Sequence, residues 1–135
     1  MRYIKISQDE LKSITQLYES VMSHACHGLF FREGRVYGEK IVNDAKKDIE
    51  HFFDISKKML IEDGWVTDVH FGEDKVYVSG SFEIIPNAGN PTCHRLRGII
   101  REIYETKNNK KVHCVENECV SIGNEKCVFA VEYSF

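Results

Sequence analysis

The chain lacks any apolar run approaching the ~20 residues that a membrane-spanning helix needs. Its first residues, MRYIKISQDELKS, have no apolar signal-peptide core, so the expected location is cytoplasmic. Positive charge is not in excess. Lys and Arg number 18 against 21 Asp and Glu, and the net charge of −3 argues against the clustered basic footprint of a direct nucleic-acid binder. No GxGxxG follows a strand-like run and no phosphate loop is present, so any hydride donor would have to come from a partner. His24, His27, His51, His70, His94 and His113 stand singly, and no Ser/His/Asp or Cys/His/Asn set is visible. Catalysis is therefore not the expected role. Repeats, linkers and low-complexity segments are also missing. The 135 residues, 42% apolar and 29% charged, read as one domain spanning 1–135.

What is present reads as an alternation of helix-like and strand-like periods. Ser7 and Glu10 form a capping-box pattern. Leu11, Ile14, Leu17, Tyr18 and Val21 follow at helical spacing to about Ser23. His24 to Gly38 is glycine-interrupted and reads as irregular. A second, longer helix is expected from Gly38 or Glu39 to Asp63-Gly64, with Ile41, Val42, Ala45, Ile49, Phe52, Phe53, Ser56 and Leu60 as its stripe. Trp65–Phe71 and Lys75–Ile85 read as a hairpin around Gly72-Glu73-Asp74. Asn90 as N-cap and Pro91 at the first position open a third helix with Leu96, Ile99, Ile100 and Ile103 on its apolar face. Strands near Val112–Val120 and Lys126–Tyr133, joined by Ser121–Glu125, complete the order. The fold class is α+β, with an antiparallel sheet of two hairpins packed against about three helices.

Five cysteines are more than packing alone requires, and an odd number does not make a full disulfide framework. Cys119 and Cys127 are equidistant from Gly123, so a turn there brings them nearly opposite each other. Glu116 lies three residues before Cys119, which in a regular strand would face the other way, so convergence demands a bulge between them. Cys93, near the third position of its helix, has amides and a macrodipole that favour its thiolate. Three thiolates and a carboxylate suit zinc, and four protein ligands would make the site structural. Buried small hydrophobes or a hairpin disulfide are the plainer readings of the same cysteines. Cys114 shares strand parity with Glu116 and reads as core. Trp65, Phe82, Tyr104 and Phe30 are candidate walls of an apolar cavity, or ordinary core.

Several of these residues carry a family likeness. Gly64-Trp65, Val78-Ser79-Gly80-Ser81-Phe82-Glu83, Pro91-Thr92-Cys93, and above all Glu116, Cys119, Gly123, Cys127 and Phe129 resemble the 4-vinyl reductase domain family. They also resemble the related aromatic-sensing N-terminal domains of bacterial sigma-54 activators. Gly34-Arg35-Val36-Tyr37-Gly38 resembles the family's entry to its long helix. The resemblance implies a zinc ion at Cys93, Glu116, Cys119 and Cys127, a fold similar to the Golgi vesicle-tethering subunits, a small apolar or aromatic ligand beside the metal, and a homodimer. With no ATPase or DNA-binding region in the chain, output is expected through a protein partner or ligand transfer. The alternatives are an accessory protein or enzyme in vinyl reduction of a tetrapyrrole, as the family name suggests, and an assembly module without ligand.

Overall fold

The Ser7 hydroxyl accepts from the Glu10 amide and the Glu10 carboxylate accepts from the Ser7 amide, both at 3.0 Å, so the expected capping box starts helix α1, Gln8–Met22. The computed structural model describes residues 1–133. Helix α2 spans Cys26–Ala45, α3 Phe52–Glu62 and α4 His94–Asn108. The strands are β1 Asp68–Phe71, β2 Lys75–Ser79, β3 Val112–Glu118 and β4 Cys127–Tyr133. They form one antiparallel sheet in the order β1-β2-β4-β3, two hairpins joined through β2 and β4. Val69, Val76, Cys114, Phe129 and Val131 face the core, while Asp68, His70, Tyr77 and Glu132 face outward.

The α+β reading holds, with four α-helices where about three were expected. Two corrections concern the helices. The segment His24–Gly38, expected to be irregular, is almost wholly helical. Its glycines are not turn residues but the floor of a close crossing with α4. A Cβ on Gly34 would lie 1.8 Å from the Arg95 carbonyl oxygen, and one on Gly98 would lie 2.0 Å from the Phe31 carbonyl oxygen. The single long helix expected up to Asp63 is instead broken at Lys46–His51. The break throws Ile49 out to 57% exposure while Phe52, Ser56 and Leu60 stay buried.

Helix α4 begins three residues later than Pro91 suggests. The Thr92 hydroxyl is tied to the Glu83 carbonyl at 2.9 Å and to the Ser121 hydroxyl at 2.6 Å, which holds 90–93 out of the helix. Glu83 caps the helix from a distance, its carboxylate accepting from the amides of Arg95 at 3.2 Å and Leu96 at 2.8 Å. Strand β2 stops at Ser79, short of the expected Ile85, because Gly80 takes φ +63°. Helix α1 differs most from expectation: Thr15 is its one buried residue, while Leu17, Tyr18 and Val21 are exposed.

Candidate metal centre

Strand β3, helix α4 and the start of β4 bring Cys93, Glu116, Cys119 and Cys127 together. One donor atom from each lies within 4.8 Å of all the others, and the set could hold a metal ion. The bulge that convergence demanded is present, as a register shift between Glu116 and Glu118 in the β3–β4 pairing. It turns Cys119 to the Glu116 side. Gly123 closes the hairpin at φ +96°. All five cysteines are free thiols, so the hairpin disulfide is not formed. The Cys127 sulfur lies 3.9 Å from those of Cys93 and Cys119. Sulfurs at the corners of a tetrahedron around zinc, each ~2.3 Å from the ion, are ~3.8 Å apart. The three sulfurs therefore already stand at the spacing of a tetrahedral site.

Glu116 is oriented for the same task. Its Oε1 accepts from the Cys93 amide at 3.1 Å. Its Oε2 is the one buried side-chain oxygen or nitrogen without a hydrogen-bond partner among the described residues. An orphaned carboxylate oxygen facing three sulfurs is costly unless something binds it. The outer contacts are polar: the Ser81 hydroxyl meets the Cys93 sulfur at 3.1 Å, and the Val120 amide donates to Cys127 at 3.5 Å.

Without a cation the four acids resist ionising together. Hydrogen bonds from Cys127 and then Cys93 hold the Cys119 thiol well below its ordinary range. The bond to Cys119 in turn pushes Cys127 up to about 12. Cys93 is raised as well, by its contacts with Cys119 and Cys127 and by burial. This reverses the expectation that a helix N-terminus would favour the Cys93 thiolate. Cys93 is the N-cap of α4, and its amide is spent on Glu116. Burial, then the neighbouring Cys119 charge, lifts Glu116 to about 8. A divalent cation is what lets such a set ionise in full. Of the basic residues expected nearby, Arg95 is committed elsewhere: it pairs with Glu33 at 2.8 Å and Glu83 at 3.4 Å and lies over the Phe30 ring. Cys114 is buried and outside the cluster, as parity suggested.

The four candidate cavity aromatics do not meet. Trp65 and Phe82 pack edge to face at 6.4 Å and line a cavity of about 740 Å³ with Ile4, Ile6, Val36 and Tyr37. No residue of the cysteine cluster borders that cavity. Phe30 is the platform under the Arg95 guanidinium, 4.1 Å away. Tyr104 is core, packed beside Phe53 and donating its hydroxyl to the Gly72 carbonyl at 2.5 Å.

The histidines that look scattered along the sequence are gathered. His24, His27, His94 and His113 border one cavity of about 420 Å³, together with Arg97 and Glu116. The His27 and His94 rings stack at 3.9 Å. Burial, with His27 beside it, pushes the His94 imidazole down to about 3. The i,i+3 spacing of His24 and His27, and the position of His94 beside Cys93, were readable signals of this grouping.

Comparison with known proteins agrees with this geometry. Residues 74–133 match the family model of the 4-vinyl reductase domain. Over 119 residues the chain is 29% identical to an uncharacterised protein of Methanocaldococcus jannaschii, covering 83% of this chain and 69% of that protein. A second uncharacterised protein of the same organism is 33% identical over 57 residues, 42% of this chain and 35% of that protein. Among solved structures the chain is similar to the phenol-responsive sensory domain of the transcription activator PoxR, determined with phenol. The TM-score is 0.82 at 18% identity, over 98% of this chain and 77% of that one. It is also similar to a vinyl-4-reductase family protein from M. jannaschii, with a TM-score of 0.68 at 21% identity, over 99% of this chain and 85% of that one. The expected likeness to the 4-vinyl reductase domain family is therefore found, and it lies in segment 74–133, which holds the whole of the cysteine and glutamate cluster.

Proposed function

We propose that the chain is a small-molecule sensor or carrier domain whose fold is clamped by zinc at Cys93, Glu116, Cys119 and Cys127. The observation that carries the metal reading is the pairing of tetrahedrally spaced sulfurs with an orphaned Oε2 of Glu116. The ion would supply a cross-link rather than chemistry, since four protein ligands leave no open position. It would join the start of α4 to the β3–β4 hairpin. Ser81 and the Val120 amide would then orient and partly neutralise the sulfurs.

The ligand, small and apolar or aromatic, is assigned to the cavity at Trp65 and Phe82. Its walls are mostly apolar, with the Tyr37 hydroxyl, Lys40 and Asp63 as the polar groups at hand. That a structural neighbour responds to phenol supports this class of ligand. Phe30 and Tyr104 are left out of the binding role, because each is occupied in the packing described above. Helix α1, with Leu17, Tyr18 and Val21 exposed, is the surface we assign to a homodimer, and signal output would pass to a protein partner.

Elemental analysis and a ligand screen test the two halves separately. Purified protein should carry one zinc per chain. Trp65 is the single tryptophan, so binding of a small phenol or arene should alter fluorescence directly. A ligand at a hundred times its dissociation constant should add ~2.7 kcal/mol of stability, and Trp65→Ala should abolish that gain. An assembly module would instead show no response across a broad panel and an oligomer held through α1.

A further inference from the structure

We infer that the histidine-walled cavity is the route by which metal enters and leaves the cysteine cluster. The inference rests on the metal reading above and adds a role that the four cluster residues do not themselves explain. The three sulfurs belong to residues with 0% exposure, so an ion cannot reach them across the ordinary surface. The cavity that borders Glu116 offers a path. Its outer residues, His24 and His113, are exposed; His27 and His94 are half-buried; Glu116, with its unpartnered Oε2, lies next to the sulfurs. Four of the chain's six imidazoles therefore stand in order of depth along one passage.

Imidazole nitrogen is a good ligand for zinc and its neighbours in the first transition row. The passage is not itself a resident site. Among the described residues, only the Cys93, Glu116, Cys119 and Cys127 donors converge closely enough to hold an ion. The histidine wall offers one or two nitrogens at a time. His27 shares its Nε2 with Glu19 at 2.7 Å, and its ring stacks on His94. Such a wall can pass an ion inward but not keep it. Arg97 stands on the same wall, yet three thiolates and a carboxylate lie beyond it, so the field along the path still draws a cation inward. β3 is an edge strand of the sheet, so residues from both its faces, exposed His113 and buried Cys114, border the cavity.

The test is kinetic and uses the metal alone. Cobalt uptake by metal-free protein is followed through thiolate-to-metal absorption, and zinc release through a chromophoric chelator. The inner pair His27→Gln/His94→Gln and the outer pair His24→Ala/His113→Ala should each slow both processes about tenfold, a barrier rise of ~1.4 kcal/mol. Metal per chain at saturation should stay at one. His51→Ala/His70→Ala, away from the cavity, should leave the rates unchanged. The outer pair is exposed, so its variant keeps the test valid if the inner pair perturbs folding. Wild-type rates in the outer variant, equal slowing in the His51/His70 control, or loss of a second ion per chain would each overturn the route. A wild-type chain that binds no metal overturns the parent reading as well, and the metal count separates the two failures.

Discussion

Replacing Gly34 with alanine probes the crossing that places α4, and with it Cys93. The added methyl would sit 1.8 Å from the carbonyl oxygen and 2.7 Å from the carbonyl carbon of Arg95. Relief requires about 1.5 Å of helix separation, because ordinary carbon–oxygen contact is near ~3.3 Å. Neither helix can tilt away cheaply. One turn along, Gly98 is equally tight against Phe31, and lifting α4 breaks the 2.8 Å pair between Arg95 and Glu33. Overpacking costs ~1–3 kcal/mol, more when backbone must move, while alanine returns up to ~1 kcal/mol of helix propensity. The net loss should be ~2–3 kcal/mol, or roughly 6–12 °C in Tm for a domain of this size. Gly28 provides the control: it lies in the same helix, and a Cβ there meets nothing within 4 Å. Gly28→Ala should therefore stabilise by ~0.5–1 kcal/mol. Urea unfolding of both variants, with the m-value unchanged, reads the two signs directly. If Gly34→Ala proved as stable as the wild type, the close crossing, and the reason given for the glycines of α2, would be wrong.

Three further outcomes follow from other parts of the molecule. Cys119→Ser and Cys127→Ser should each lower metal content, measured by elemental analysis, and lower Tm with it, whereas Cys26→Ser should keep the metal, because Cys26 lies outside the cluster. Leu17→Glu with Val21→Glu should leave Tm nearly unchanged yet reduce the mass seen in sedimentation to that of one chain; an unchanged dimer would remove α1 from the interface. Burial lifts Glu83 to about 7, above its ordinary 4.5, even against the Leu96 amide and Arg95. A raised carboxyl is held more tightly by the folded chain, so its contribution is full below about 4.5 and is lost as pH rises through about 7. The stability advantage of the wild type over Glu83→Gln should therefore shrink by up to ~3 kcal/mol across that window, as followed by urea titration at several pH values. A flat difference would mean the carboxyl is already ionised at the lower end.

The sequence carried the local events, because their causes are local. The Ser7–Glu10 box, the Gly72–Asp74 hairpin, the symmetry of Cys119 and Cys127 about Gly123, and the need for a bulge after Glu116 all depend on residues a few positions apart. The converging donor set was readable for the same reason, with Cys93 the one member supplied from elsewhere. Misreadings arose where a residue type has two uses. Glycine at 28, 34 and 38 reads as loop when its partner is unknown, yet Gly34 and Gly38 are small so that α4 can approach. The apolar period of 41–60 continues across Lys46–His51 although the backbone breaks there, since packing either side of the break supplies the same pattern.

On its own, then, the order of residues determined the element types, the two hairpins and the four donors, through short-range hydrogen bonding and turn geometry. Only the tertiary structure decided which side chains share a space. It buried Arg95 on Phe30 between two glutamates, separated Tyr104 and Phe30 from Trp65 and Phe82, left the apolar stripe of α1 exposed, and collected four distant histidines beside Glu116. Those outcomes depend on how helices cross and where strands end, and such long-range contacts leave no periodic mark in the chain.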